Sequence, residues 1–323
     1  MFRNKKLTAL LAALMCGAVL AWELPLIRRS GQEIMVKISR ESKTAREITE
    51  SLKEQKILKH PRLFRFFIKL LGWDKKIRVG TYLFRENEAW PMLLRKLING
   101  ESFTVKVTFP EGWRIEQMAE RLESSMITSA ADFTAGAKAG KMEGFLFPST
   151  YFFEPDTPAP KVIEVMNEQF EKMWKERFEY LKPPKKFGKK EVVTLASIIE
   201  RETTVLKEKP LIAGVFLNRL RLGWRLEADP TVQYALAKWK ERLTYKDTKI
   251  KSPYNTYQNA GLPPGPIANP GADSIAAVFY PTKTELMYFV ARGDGSHEFF
   301  KTLAEHNRYR ALQKKNRKAK IKK

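Results

Sequence analysis

The feature that most limits how this chain can fold is an apolar segment at its N-terminus. Arg3, Lys5 and Lys6 precede an apolar run over residues 7–22 that only Thr8 interrupts. As a helix this run would extend about 24 Å, and apolar residues just beyond it bring the length closer to the roughly 30 Å of a bilayer core. The basic residues predict a cytoplasmic N-terminus. We therefore predict a single-pass anchor of the inner membrane over residues 1–28, with the rest of the chain outside.

A cleaved signal peptide is the alternative interpretation of this segment. Val19-Leu20-Ala21 resembles a cleavage site. A lipid anchor on Cys16, the single cysteine, is disfavoured because Met15 is not the small residue that processing prefers. We favour the retained anchor, and both interpretations take the bulk of the chain out of the cytoplasm.

The charge of the chain indicates an anionic neighbour. The formal net charge is +23, which fits nucleic acid, a lipid headgroup surface or an acidic polymer such as a cell wall. Export argues against the first, so we expect no nucleic-acid partner. Seven of the last ten residues are basic, and we interpret residues 314–323 as a basic, solvated tail.

Periodic patterns divide the exported part into two regions. Residues 33–39 alternate polar and apolar side chains as a half-buried strand does, and helical patterns follow at about 44–55 and 61–71. Residues 80–84 predict a returning strand, and about 90–98 a further helix. Strand, two helices and strand form a unit of the size of a small binding module.

A turn at Pro110-Glu111-Gly112 opens a second, larger region, so we place the domain boundary near residue 108. From there to about residue 313 the pattern is mainly helical, with aromatic and proline-rich loops at 144–157 and 252–271. Together these patterns predict an α+β fold with domains over residues 31–108 and 109–313.

The segment EVVTLASIIERET, residues 191–203, carries the most informative chemistry. At about 100° per residue its apolar residues cover one broad arc of a helix. Glu202 projects between Leu195 and Ile198, and Glu200 projects at the other edge of the arc. Burial disfavours a charged carboxylate and raises its pKa, as a general acid working near pH 7 requires.

The alternative for each glutamate is an edge residue that reaches solvent or pairs with a basic neighbour, which is the commoner case. The two carboxylates diverge by about 160° on one helix and cannot face one bond as a standard glycosidase pair does. The helix therefore predicts one buried acid without saying which glutamate it is.

Two downstream segments supply candidate binding residues. In NRLRLGWRLEADPTVQY, residues 218–234, Asp229 before Pro230 fits a helix N-cap better than a catalytic role. SPYNTYQNAGLPPGPIANPG, residues 252–271, combines proline and glycine with tyrosine and asparagine. Such a rigid loop can stack on sugars and hydrogen-bond them, or it can be an ordinary surface loop.

No pattern in the sequence predicts a metal ion or a cofactor. His297 and His306 have no cysteine cluster or HExxH pattern beside them, so we expect hydrogen-bonding or packing roles for both. A glycine-rich phosphate loop and a serine nucleophile elbow are absent from the sequence.

The order of the motifs resembles that of a known family. LASIIERET, VFLNRLRLGWRLEADPTVQY, SPYNTYQNAGLPPGPIANPG and HEFFKTLAEHN, with GTY at 80–82 and EGFLFPSTYFF at 143–153, are similar to the YceG-like family of endolytic murein transglycosylases. The resemblance implies a LysM-like domain at 31–108 and a catalytic domain at 109–313. It also implies a lyase, without a cofactor, that cleaves nascent peptidoglycan between N-acetylmuramic acid and N-acetylglucosamine and leaves 1,6-anhydro ends.

In the family motif the essential acid is the second glutamate of the E-x-E pair, which is Glu202 here. A lytic transglycosylase uses the C6 hydroxyl of its own substrate as the nucleophile, so no second carboxylate is needed. The resemblance implies that Glu202 protonates the glycosidic oxygen and then accepts the proton of that hydroxyl. The residues predicted to bind substrate are Glu200, Asn218, Asp229, Tyr254 and Asn255.

The expected partners are peptidoglycan strands and the cytoplasmic membrane, and peptidoglycan synthases are candidate partners. A non-catalytic peptidoglycan-binding scaffold is the alternative function, against which the complete acidic motif argues. An ordinary muramidase is a third hypothesis, and the mass of the products separates it from a lyase.

Overall fold

The structure is a computed structural model that describes residues 32–38, 44–237, 240 and 242–321. The predicted anchor at 1–28 lies outside the described residues. Within the described part, every helix is too short or too polar to cross a bilayer.

Internal contacts divide the chain into two compact units. Unit 1 comprises Met1–Val105 and Phe152–Pro155, and unit 2 comprises Lys106–Tyr151 and Asp156–Lys323. The division after Val105 lies three residues before the predicted boundary at 108. The return of a short segment to unit 1 at Phe152–Pro155 was not predicted, because nothing in the local pattern distinguishes it.

Unit 1 is built on two antiparallel strands, β1 (Glu33–Ile38) and β2 (Gly80–Arg85). Two helices lie between them in the chain, α1 (Ala45–Glu54) and α2 (Pro61–Leu70), and α3 (Trp90–Asn99) follows β2. The strand–helix–helix–strand order is the one that the sequence predicts. Its core consists of buried apolar side chains from all five elements: Val36, Ile38, Leu52, Phe64, Phe67, Ile68, Tyr82, Phe84, Trp90, Leu93 and Leu97.

Local sequence explains where these helices begin and end. Thr44 caps α1, because its Oγ1 accepts a hydrogen bond from the Glu47 amide while the Glu47 carboxylate accepts one from the Thr44 amide, both at 3.2 Å. Pro61 occupies the first turn of α2, where no backbone donor is needed. Gly100 ends α3 with a φ of 71°, a conformation that favours glycine.

Unit 2 is mainly helical. Its helices are α4 (Ile115–Ser124), α5 (Ala130–Ala139), α6 (Ala159–Arg177), α7 (Lys189–Glu202), α8 (Lys209–Arg221), α9 (Asp229–Ala235), α10 (Ala272–Phe279) and α11 (Leu303–Ile321). A two-stranded sheet joins β3 (Val105–Thr108) to β4 (Thr150–Phe153), and an antiparallel hairpin joins β5 (Tyr288–Ala291) to β6 (His297–Phe300). The fold is therefore α+β, mostly helical with small sheets. Because α11 extends to Ile321, much of the basic tail is helical.

Helix α7 lies at the centre of unit 2. Every side chain from 192 to 199 is buried, including Thr194 and Ser197, which lie outside the apolar arc. The Thr194 hydroxyl donates to the Lys190 carbonyl at 2.7 Å. The Ser197 hydroxyl accepts a hydrogen bond from the Ile267 amide at 3.0 Å. The proline-rich loop thus covers a face of α7 that the sequence pattern does not predict to be buried.

Asn269 ties the end of this loop to earlier turns of unit 2. Its side chain is fully buried, and its Oδ1 accepts hydrogen bonds from the amides of Gly144 at 2.9 Å and Leu146 at 3.0 Å. Its Nδ2 donates to the Trp113 carbonyl at 3.0 Å and to the Glu143 carboxyl at 3.1 Å. One amide side chain therefore satisfies four buried polar groups around α7.

Replacing Asn269 with alanine is expected to lower the free energy of unfolding by about 2–4 kcal/mol, because the buried amides of Gly144 and Leu146 lose their acceptor. Asn259→Ala is the matched control, since Asn259 is an exposed residue of the same loop, and we expect it to cost less than about 1 kcal/mol. Urea unfolding followed by circular dichroism measures both. Equal losses would contradict the role assigned to Asn269.

Candidate active site

Glu202 is the last residue of α7, and protein surrounds its carboxyl group although the residue keeps partial exposure. The helix ends there because Thr203 is extended, with φ −142° and ψ 142°. Burial raises the pKa of Glu202 to about 8; the charge of Asp229 acts in the same direction, and Arg219 opposes both. The negative end of the helix dipole also disfavours the carboxylate. At neutral pH Glu202 is therefore mainly protonated and can donate a proton.

A hydrogen-bonded chain holds the turn that follows Glu202. The Thr203 hydroxyl donates to Glu208 Oε2 at 3.2 Å and accepts from the Val205 amide at 3.0 Å. Glu208 also accepts from the His297 amide at 2.9 Å, and its Oε2 lies 2.8 Å from His297 Nδ1. His297 thus has the hydrogen-bonding role that the sequence predicts, and it holds the end of the acid-bearing helix.

Asp229 lies close enough to Glu202 to influence its titration. It is the first residue of α9, and Ala228 takes the N-cap position without a side-chain hydrogen bond, so the capping role predicted for Asp229 is wrong. Its Oδ1 instead accepts a hydrogen bond from the Tyr257 hydroxyl at 2.6 Å. Burial, and then the charge of Asp229, raise the pKa of Tyr257, which keeps the phenol protonated as a donor.

Arg219 supplies positive charge near Glu202. Its buried guanidinium donates to the Met287 carbonyl at 2.8 Å and to the Leu226 carbonyl at 2.6 Å. The cation lowers the pKa of Glu202, although the charge of Glu227 acts on Arg219 more strongly than that of Glu202 does. Sequence reasoning missed Arg219, since an arginine within NRLRLGWR has no local signal of burial.

Glu200 lies in a different environment from Glu202. Its carboxylate accepts hydrogen bonds from Lys209 Nζ at 3.1 and 3.2 Å, from the Gly271 amide at 2.9 Å and from the Ser274 hydroxyl at 2.7 Å. The carboxylate of Glu111 lies against Gly271, in the space that a side chain there would take. These contacts join α7 to α8 and α10, and contact between Glu200 and a substrate stays a prediction.

Asn218 and Asn255 also bond to the protein backbone. Asn218 Nδ2 donates to two carbonyl oxygens after α10, at 2.8 and 3.3 Å. Asn255 is fully buried, and its Nδ2 donates to two carbonyl oxygens of the preceding segment at 3.0 and 2.8 Å. Tyr254 is partly buried, with its ring centre 4.7 Å from that of Tyr234. Substrate contact by these three residues stays a prediction. Among the residues predicted to bind substrate, Asp229 is the one whose charge acts on Glu202.

A groove of about 800 Å³ opens beside α7 and α9. Its volume is in the usual range for small-molecule sites. Helices α4 and α5 also contribute to its lining, and neither Glu202 nor Asp229 is among the lining residues. The lining residues are Arg114, Glu116, Gln117, Glu120, Lys138, Arg201, Tyr234 and Ala237. In the described part of the chain, no group of three or more His, Cys, Asp and Glu side chains could hold a metal ion.

Fold and site together define a class: an α+β protein whose helical unit carries, at the end of a buried helix, a glutamate that keeps its proton at neutral pH, as a general acid requires. The model of the YceG-like family matches residues 36–312 of this sequence. The chain therefore belongs to the YceG-like family, which confirms the resemblance drawn from its motifs.

Relatives and a solved structure agree with this assignment. The chain is 34% identical over 288 residues to the endolytic murein transglycosylase of Bacillus subtilis (strain 168), covering 81% of this chain and 79% of that protein. It is 28% identical over 310 residues to the protein of the same name from Streptococcus pneumoniae serotype 2 (strain D39), covering 83% and 56%. A 2.6 Å crystal structure of a yceG-like protein from Listeria monocytogenes is 31% identical, with a TM-score of 0.54 and coverage of 87% and 100%.

The carboxyl group of Glu202 is expected to titrate near pH 8. Asp229→Asn should move this titration to lower pH, because removing a nearby negative charge favours the carboxylate. Carbon-13 NMR of protein labelled at the glutamate carboxyl carbon measures the pKa of Glu202. The signal of Glu202 is identified as the one that disappears in the Glu202→Gln variant. Asp132→Asn, which also changes an aspartate in the first turn of a helix, is the control. An unchanged titration in Asp229→Asn would disprove the coupling.

Proposed function

We propose that this protein is an endolytic lytic transglycosylase of the cell wall. It cleaves nascent peptidoglycan strands between N-acetylmuramic acid and N-acetylglucosamine and leaves 1,6-anhydro-N-acetylmuramic ends. The observation that carries the proposal is Glu202, a carboxyl group at the end of a buried helix that keeps its proton at neutral pH. The names of the relatives, endolytic murein transglycosylase, support the same activity.

The first step is protonation of the leaving group. Glu202 donates its proton to the glycosidic oxygen while the bond from that oxygen to C1 of N-acetylmuramic acid breaks. Positive charge develops at C1, and the carboxylate of Asp229 stabilises it electrostatically. The hydroxyl of Tyr257 orients Asp229 through their 2.6 Å hydrogen bond.

The second step closes the anhydro ring. The Glu202 carboxylate accepts the proton of the C6 hydroxyl as the C6 oxygen bonds to C1. One C–O bond has broken, one has formed, no water is consumed, and Glu202 has regained its proton. The paired carboxyls of ordinary glycosidases act on water or on C1 directly, whereas here the substrate supplies the nucleophile.

Glu202→Gln keeps the size of the side chain but cannot donate or accept this proton. We expect release of anhydro-muropeptides from purified glycan strands to fall about 100- to 10,000-fold. Glu191→Gln, the same change at an exposed position of the same helix, should leave the rate unaltered. Mass spectrometry identifies the products, because anhydro ends are lighter than hydrolytic ends by one water.

The same measurement separates the competing functions. Products carrying the mass of the added water would show a muramidase. Glycan binding without any cleavage by the wild-type protein would show a scaffold. If the Glu202→Gln variant released anhydro-muropeptides at the wild-type rate, Glu202 would not be the catalytic acid.

We also propose that unit 1 is a LysM-like glycan-binding domain and that residues 1–28 anchor the protein in the cytoplasmic membrane, with the catalytic domain outside. The exposed face of α2 supports this location. Leu63, Phe66 and Leu70 form one stripe of the helix and are 46%, 56% and 57% exposed, and Arg62 and Lys69 are exposed beside them. An apolar stripe flanked by basic residues is typical of a helix that lies in the interface of an anionic membrane.

A fluorophore at position 66 tests this location. In a Cys16→Ser background, which leaves no other cysteine, a polarity-sensitive probe on Phe66→Cys should be quenched by lipids with brominated chains in anionic vesicles. Met35→Cys is the matched control: Met35 is 46% exposed and alternates with Val36 and Ile38, so it lies on the face of the sheet opposite the core. Equal quenching at both positions would exclude an interfacial α2.

A further inference from the structure

The connection between α8 and α9 carries an exposed tryptophan. Trp224 is 44% exposed, whereas Leu226, two residues further on, is fully buried. The chain turns at Gly223, whose φ of 71° favours glycine, and the Trp224 amide donates to the Arg219 carbonyl at 2.8 Å. The backbone that presents the indole is therefore fixed to the end of α8.

A tyrosine of β5 holds the indole ring in place. The ring centre of Tyr288 lies 6.2 Å from that of Trp224 and 5.5 Å from that of His306. The central carbon of the Arg219 guanidinium lies 5.4 Å from the centre of the Tyr288 ring, a cation–π contact. Because Tyr288 packs among these three groups, it positions the indole, and Trp224 offers the exposed aromatic surface.

Arg219 connects this aromatic cluster to the acid. The guanidinium that contacts Tyr288 is the one whose charge acts on Glu202. Glu227 belongs to the same neighbourhood, because its charge also acts on Arg219. Glu227 is exposed and has a φ of 51°, a conformation that residues other than glycine adopt only where the surrounding structure holds them. The connection between α8 and α9 therefore presents an indole ring and a carboxylate near the charges that act on Glu202.

We propose that Trp224 and Glu227 form a sugar-binding subsite for one pyranose ring of the glycan strand, an inference that rests on the proposed transglycosylase function. The C–H groups on one face of a pyranose match the negative face of an indole. Hydroxyl and acetamido N–H groups at the edge of the sugar donate to a carboxylate. An aromatic surface with a few polar groups beside it is the usual composition of a small-molecule site.

Kinetics of the full-length protein on glycan strands stripped of their stem peptides test this subsite. Trp224→Ala should raise KM about tenfold and leave kcat within about twofold, because loss of a stacking contact weakens binding alone. Trp224→Tyr keeps an aromatic face and should recover most of this loss. Glu227→Gln should raise KM about fivefold, because an uncharged acceptor binds the sugar less strongly. Tyr180→Ala removes an exposed ring after α6 and is the control, with the KM of the wild type.

Fluorescence tests the subsite without cleavage and with Trp224 in place. The chain has seven tryptophans, so the difference in emission between the Glu202→Gln protein and the same protein carrying Trp224→Phe reports the indole at position 224. A soluble tetrasaccharide of alternating N-acetylglucosamine and N-acetylmuramic acid should shift this difference emission to shorter wavelength. Anionic phospholipid vesicles should leave it unchanged. Vesicles are included because an exposed tryptophan near basic residues is also typical of a membrane interface.

Four results would overturn the subsite. The first two are an unchanged KM in Trp224→Ala and a difference emission that the tetrasaccharide does not alter. A response to vesicles in place of the tetrasaccharide would assign the indole to the membrane surface. A fall in kcat that Trp224→Tyr does not recover would show a structural role.

The subsite and the catalytic proposal can fail separately. Anhydro products from a protein whose difference emission ignores the tetrasaccharide would uphold the lyase and refute the subsite. A shift of the difference emission, together with wild-type products that carry added water, would support the subsite and refute the lyase.

Discussion

Desolvation of one carboxyl group at the end of a fully buried helix is the interaction on which the rest of this structure depends. Helix α7 is buried on all sides between residues 192 and 199, so it cannot turn to bring its last residue into water. Burying a charged carboxylate costs free energy, and Glu202 avoids this cost by keeping its proton. Its pKa is therefore raised to about 8. Hydrogen bonds among Thr203, Glu208 and His297 hold the turn that directly follows Glu202.

Two glutamates separated by one residue have opposite roles because the helix points them in different directions. Glu200 meets Lys209, a backbone amide and a hydroxyl, all of which stabilise a carboxylate. The carboxyl group of Glu202 is buried and lies near the negative charge of Asp229, both of which favour its protonated form. The E-x-E spacing thus allows the carboxylate of Glu200 to join three helices while the carboxyl group of Glu202 keeps its proton, and the angular separation of about 160° makes this division feasible.

The sequence predicts much of this because the deciding information is local. Periodicity over residues 33–98 predicts the strand–helix–helix–strand unit, and the apolar arc of α7 predicts a buried acid. The contacts that the sequence does not predict join residues that are far apart in the chain. Burial of Ser197 requires the amide of Ile267, the role of Glu200 requires Ser274, and the hydrogen bond of Asp229 requires Tyr257. The pattern of a single helix does not reveal such pairings. The structure therefore differs from two predictions: Asp229 is not the N-cap of α9, and Ser197 is buried although it lies outside the apolar arc of α7.

A lone acid that must give and then take back a proton needs a pKa close to the working pH, because the same group acts in both halves of the reaction. A glutamate at its ordinary pKa would be protonated in only about one molecule in 500 at pH 7. A much higher pKa would make it a poor donor. Burial and Asp229 move the pKa of Glu202 upward while the buried cation of Arg219 limits the rise. Arg219 donates its hydrogen bonds to backbone carbonyls, and its charge acts on the acid. The opposing charges of Asp229 and Arg219 therefore help to keep the pKa of Glu202 near neutrality, where one carboxyl group can both release and accept a proton.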